Sequence, residues 1–149
     1  MPQIEKAYIT TGKLKYVSRD FPLEAIHQQA RKAAEAFWCA EEQGKGREMH
    51  QRLFANQRQL QPDALVQHAE ALGLSTQTFR SCLDSGKYTG KINASLQDGG
   101  KVGVTGTPAF LLGYTQADGM EVRAVTFLSG AQPFSRFKEQ IDKLLEAQN

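Results

Sequence analysis

Residues 104–112, Val-Thr-Gly-Thr-Pro-Ala-Phe-Leu-Leu, constrain the fold of this chain more than any other stretch. A glycine-bearing turn, a Thr107-Pro108 bond and an apolar run follow one another without a gap. An X-Pro bond is the one peptide type in which cis costs as little as about 0.5–1 kcal/mol. Pinned between a turn and a strand, Thr107-Pro108 is predicted to be cis. Ala109 to Leu112 are apolar at successive positions, so both faces of their strand are expected to be covered, as in a central strand. Gln116-Ala117-Asp118-Gly119 predicts a turn, Asp-Gly being the strongest short hairpin signal, and residues 122–128 predict the returning strand. Pro133 opens a final helix with Phe134, Phe137, Ile141, Leu144 and Leu145 on its buried stripe.

Upstream, helical spacing dominates. Residues 2–11, with Pro2, Ile4, Tyr8 and Ile9, read as short helical turns stopped by Gly12. Residues 13–19 (Leu14, Tyr16, Val17) alternate like a short strand, which Asp20-Phe21-Pro22 breaks. From 23 to 43, Leu23, Ile26, Ala30, Ala33 and Phe37 form one apolar stripe, ended by Gly44-Lys45-Gly46. A helix over 47–56 carries Met49, Leu53 and Phe54 on one side. Another, from Pro62, carries Leu65, Val66, Ala69 and Leu72 and stops at Gly73. Ser75 is a natural N-cap for a fourth, with Phe79, Cys82 and Leu83 inward and Gly86 as its stop. Residues 88 to 96 or a little beyond predict a fifth, fading into Asp98-Gly99-Gly100. There is no internal repeat and no obvious linker, so one mixed α/β domain over 1–149 is expected.

The length suffices for a real core. A net charge of +2, with basic residues scattered among glutamates, argues against nucleic acid. No apolar run approaches the roughly 20 residues that span a bilayer. The N-terminus lacks the basic start and apolar core of a secretory signal, so the chain as written is expected in the cytoplasm.

Candidate chemistry is sparse. Cys39 and Cys82 lie too far apart for a Cys-x-x-Cys motif. Cys39 falls near a helix end, where the dipole disfavours a thiolate, and Cys82 on an apolar stripe, so neither suits a nucleophile. A disulfide or two buried thiols both fit. His27, His50 and His68 fall on three separate helices without the i, i+4 partner or nearby cysteine of a zinc site. Glu41-Glu42 reads as a solvated helix end, Gly99-Gly100-Lys101 is too short for a phosphate loop, and Trp38 beside Phe37 reads as packing. No metal or cofactor is expected.

Several stretches in order resemble one family. They are Pro2-Gln3-Ile4 before a Gly-Lys segment, Arg19-Asp20-Phe21-Pro22-Leu23, and His27 with its alanine-rich helix. Met49-His50 with Leu53-Phe54, Leu72-Gly73-Leu74 and Cys82-Leu83-Asp84-Ser85-Gly86 follow, then residues 103–110 and Ser129-Gly130-Ala131-Gln132-Pro133-Phe134. Together they resemble the DsbA-like branch of the thioredoxin superfamily, the thiol:disulfide interchange proteins. The resemblance implies a mixed-sheet thioredoxin-like fold with a helical insertion over about 23–100. It also implies a disulfide between Cys39 and Cys82, as some members carry an extra pair there.

In that family a strand and a Cys-x-x-Cys precede the Pro-Gln-Ile segment, so the resemblance implies an N-terminal βα unit truncated ahead of Met1. No catalytic residue can be carried over. The resemblance implies that Thr107 and Pro108 form a shelf for an extended peptide, in a protein inactive in dithiol–disulfide exchange. A lost central strand would leave apolar edges that invite a second copy, so a homodimer is expected. One alternative is a truncated form of an active oxidoreductase with its Cys-x-x-Cys, and a signal for the periplasm or secretion, upstream. Another is a glutathione-dependent transferase or isomerase, like the kappa-class transferases and chromene-carboxylate isomerases of related fold.

Overall fold

Glycines with positive φ lie at or just after the C-terminal ends of several helices in this chain. The computed structural model describes residues 2–116 and 122–147, so the expected Asp118-Gly119 turn lies outside the described residues. Two compact units result, one of Met1–Arg19 with Val104–Asn149, the other of Asp20–Gly103.

The Asp20–Gly103 unit contains α2 (Ala30–Glu41), α3 (Gly46–Ala55), α4 (Pro62–Ala71), α5 (Thr76–Ser85) and α6 (Thr89–Lys101), α1 belonging to the other unit. Ser75 Oγ accepts the Thr78 amide at 3.3 Å, and Gly86 ends α5 at φ +63°, where a Cβ would be strained. α2 packs against the other four helices, and its small Ala36 and Ala40 admit them closely. Met49, Leu53, Leu65, Ala69, Leu74, Phe79 and Leu83 complete the core. Cys39 and Cys82 lie in the same core and form a disulfide joining α2 to α5, with Cα atoms 5.8 Å apart.

Two polar groups are buried here with partners. Glu35 takes the Lys32 ammonium and the Thr89 hydroxyl, each at 2.7 Å. His68 accepts from Arg52 Nε at Nδ1 (3.1 Å), so its Nε2 carries the proton and donates to the Gln59 carbonyl at 2.9 Å. Burial of either side chain without these bonds would be costly.

Three expectations for this unit fail. The helix expected from residue 23 starts at Ala30. The Leu23 carbonyl closes one isolated turn with the amides of Ile26 and His27, and Ile26 is 70 % exposed, so it belongs to no buried stripe. The buried positions of α2 are Glu35, Ala36, Cys39 and Ala40 instead. Phe54, expected inward, is 65 % exposed: Gly46, Met49 and Leu53 form the buried face of α3, and the next position is turned about 100° away. α6 does not fade at Asp98-Gly99-Gly100 but continues to Lys101. Two glycines cost about 1 kcal/mol each in a helix, which buried Ile92 and Ser95 offset by anchoring it.

The other unit comprises α1 (Pro2–Ile4) running into a π-helical segment (Glu5–Ile9), β1 (Ala109–Thr115), β2 (Val122–Ser129) and α7 (Phe134–Glu146). Ile4, Tyr8, Leu128, Phe137 and Ile141 form its core, with Leu14, Phe110, Leu112, Phe134 and Leu145 against it. Phe110 meets Phe137 edge-on at 4.8 Å, and Tyr114 donates its hydroxyl to the Leu144 carbonyl at 2.9 Å. β1 and β2 are antiparallel, from Ala109↔Ser129 to Thr115↔Val122. Leu112 pairs with Thr126 and Gly113 with Ala124, which leaves Val125 as a bulge. A Cβ at Gly113 would overlap the Arg123 carbonyl, so this close approach requires glycine.

Two expectations fail here as well. Residues 13–19 form no strand, and Tyr16 and Val17 are exposed. An alternating pattern needs a ladder partner to become a strand, and the described sheet contains only β1 and β2. β1 is not covered on both faces: α7 packs on the Phe110–Leu112 face, while Leu111 and its cross-strand neighbour Phe127 are each 42 % exposed.

Candidate functional site

The Thr107–Pro108 peptide is cis, and both residues are exposed where the chain enters β1. The Pro108 carbonyl accepts the Gly130 amide at 2.8 Å, one step beyond the Ala109↔Ser129 pair. That bond sets the phase of the ladder. In antiparallel pairing, bonded and non-bonded pairs alternate, so Phe110↔Leu128 and Leu112↔Thr126 exchange backbone bonds across the hairpin. The N–H and C=O groups of Ala109 and Leu111 therefore point to the outer edge of β1. Among the described residues no strand lies beside that edge. A row of backbone donors and acceptors next to an exposed Thr-Pro step can pair with extended polypeptide.

The other candidate residues lie elsewhere. Cys39 and Cys82 are both consumed in their bridge, within the Asp20–Gly103 unit, whereas Thr107 and Pro108 belong to the other unit. His27 is exposed, His50 packs on Phe54 and Phe37, and His68 is the buried, tautomer-fixed imidazole described above. The histidines are not gathered. Among the described residues no group of three or more His, Cys, Asp or Glu could hold a metal ion. No helix among them is long and apolar enough to cross a membrane.

Glu42 is not half of an acid–base pair with Glu41. It binds the Lys87 ammonium and takes the Tyr88 hydroxyl at 2.6 Å, and these two bonds hold its carboxyl below the ordinary range. Burial, and then the bond to Glu42, push the Tyr88 phenol up to about 12. Trp38 donates its indole N–H to Asp20 at 2.7 Å and carries Lys91 over its ring. Sequence reasoning missed Tyr88 and Lys91 as its companions. They sit at the start of another helix, and only their i, i+3 spacing hints that they share a face.

The Na(+)/H(+) antiporter NhaA 3 of Salinispora tropica is 35% identical over 111 residues, which cover 74% of this chain and 17% of that protein. The NhaA 1 antiporter of Salinispora arenicola is 33% identical over 111 residues, with the same two shares. NhaA 1 of Mycobacterium sp. (strain KMS) is 34% identical over 101 residues, or 66% of this chain and 16% of that one. The chain thus spans about one-sixth of the length of these curated relatives. No solved structure matches it. The family described as DSBA-like thioredoxin domain matches residues 5–142, nearly the whole chain. With its mixed α/β architecture and its Cys39–Cys82 disulfide, the chain belongs to the DSBA-like thioredoxin domain family.

Proposed function

We propose that this domain binds extended polypeptide along the outer edge of β1, beside Thr107 and Pro108, and does not itself exchange disulfides. The observation that carries the reading is the one-sided pairing of β1. Ala109 and Leu111 turn their backbone groups outward, and Leu111 adds an exposed apolar side chain to the same strand. Backbone pairing supplies affinity in strand addition, and side-chain contacts supply selectivity. The inactive part of the reading rests on the two cysteines of these 149 residues, which form one buried bridge. A buried bridge offers no accessible thiolate for attack.

A second copy of the chain satisfies the same edge, giving a homodimer through β1. The size of the antiporter relatives favours one further reading, in which the domain is a peptide-binding portion of a longer polypeptide.

Amide chemical shifts during titration with an unfolded, apolar peptide test the proposal. The largest changes are expected at Ala109 and Leu111, and N-methylation of alternate peptide amides should abolish them. Changes confined to other residues overturn the binding site. Reduction of insulin by dithiothreitol should proceed no faster with the protein than without it. Acceleration lost in Cys39→Ala overturns the inactive reading.

A further inference from the structure

A continuous strip of rings crosses the Asp20–Gly103 unit. Phe54 rests on His50 with centroids 4.7 Å apart, and His50 meets Phe37 edge-on at 6.3 Å. Phe37 meets Trp38 edge-on at 4.9 Å, and Trp38 stacks on Tyr88 at 5.9 Å. Phe54 and His50 are exposed, and the other three are half-buried. A packing role alone would draw the phenylalanine inward, because burying such a side chain is worth about 1.5–3 kcal/mol. Phe54 is thus the exposed apolar residue of the strip, joined through His50 to the half-buried Phe37 and Trp38, and apolar surface left open in this way can mark an interaction site.

Charge decides what the strip would take. At one end the Lys91 ammonium lies 3.2 Å from the centre of the Trp38 ring. At the other, Arg58 and Phe54 line an open depression of ≈ 340 Å³, too open to enclose a small ligand. Two carboxylates beside the strip are engaged: Asp20 holds the Trp38 indole N–H, and Glu42 holds Lys87 and Tyr88. The surface therefore offers aromatic faces with Lys91 at one end and Arg58 at the other, and Lys87 over Tyr88 is paired with Glu42.

We propose that this strip docks an extended acidic peptide. Its apolar side chains would lie on Phe54, Phe37 and Trp38, and its carboxylates would pair with Lys91 and Arg58. Single-stranded nucleic acid also stacks on rings, but it needs a cationic track along its backbone, and a chain of net charge +2 with two bounding cations supplies none. The site lies in a different unit from the β1 edge and stands independently of the function proposed there.

Trp38 is the only tryptophan in the chain, so its emission reports directly on occupancy. The probe is an acetylated hexapeptide carrying Phe-Pro-Leu-Phe between two glutamates, titrated at low salt. A saturable change in emission is expected, with the midpoint raised about tenfold by Lys91→Glu or Arg58→Glu and a comparable loss in Phe54→Ser. Both charge variants are at exposed positions, and an unchanged thermal midpoint checks their folding. The same peptide with lysines replacing the glutamates should not bind wild type but should bind Lys91→Glu. No saturable change with the acidic peptide overturns the proposal, as does equal binding of the lysine peptide. Tighter binding of oligothymidylate or of anionic phosphatidylglycerol vesicles also overturns it.

Discussion

Tyr8 donates its hydroxyl to Asp142 at 2.7 Å across 134 residues of sequence, fastening the π-helical segment to α7. Lys138 binds the other carboxylate oxygen. The Lys138 bond first, and the Tyr8 bond second, hold the Asp142 carboxyl below the ordinary aspartate range. Burial, followed by the bond to Asp142, raises the Tyr8 phenol.

The acid side of the stability profile should carry this bond. A carboxyl depressed on folding contributes stability that is complete above its unfolded pKa and is lost as pH falls through its folded pKa. Urea midpoints measured from neutral pH downward should fall less steeply in Asp142→Asn than in wild type, with the difference confined to the region below the ordinary aspartate pKa. Parallel profiles would mean that the bond does not contribute.

The Cys39–Cys82 bridge closes a loop with a sequence separation of 43, and loop-closure entropy assigns it about 4 kcal/mol. Equilibrium urea unfolding with and without a phosphine reductant should show a loss of that order, accompanied by two titratable thiols in the reduced, unfolded protein. A loss below about 1 kcal/mol would place the stability of α2 and α5 in their apolar packing instead.

Gly113 faces the Arg123 carbonyl at the point where β2 bulges. Gly113→Val must separate the strands there and should cost about 1–3 kcal/mol, as overpacking does. Hydrogen exchange should accelerate at β1 and β2 amides while α5 amides keep their protection. Uniform acceleration would show that the two units do not open separately.

Removing Glu35 strips Thr89 and Lys32 of their buried partner. Lys32 is 38 % exposed and can turn to water, so Glu35→Ala should cost about 1–3 kcal/mol rather than the 3–5 kcal/mol of a stranded buried charge. In denaturant unfolding, the loss in the double variant Glu35→Ala with Thr89→Val should be smaller than the sum of the losses in the two single variants, because the two changes remove the same bond.

What the chain's letters disclosed depended on whether the deciding forces were local. Ser75 and Gly86 bracket α5 because a cap and a left-handed glycine act within a single turn, and Phe79, Cys82 and Leu83 are all buried as their spacing implied. The segment at 13–19 had the right alternation for a strand, but pairing is a property of two segments and no described partner exists. Ile26 and Phe54 had helical spacing without burial, since spacing names a face but not what covers it. At the β1 edge, Thr107 and Pro108 stood out by their place between a turn and an apolar run, and their role as a shelf was implied by the family resemblance. The outward phase of Ala109 and Leu111 came only from the Pro108–Gly130 bond and the register. The ring strip joins residues of α2, α3 and the start of α6, and no pattern within one helix could have assembled it.

One unit is assembled from the two ends of the chain, with Asp20–Gly103 between them in sequence. During synthesis from the N-terminus, at about 5–20 residues per second, the intervening helices are complete while residues 104–149 are still to be made. Residues 2–19 must then wait several seconds with Ile4 and Tyr8 lacking Phe137 and Ile141 as neighbours. Arrest of translation near residue 103 would thus leave Ile4 and Tyr8 uncovered upstream of a finished set of helices, an intermediate that invites a chaperone.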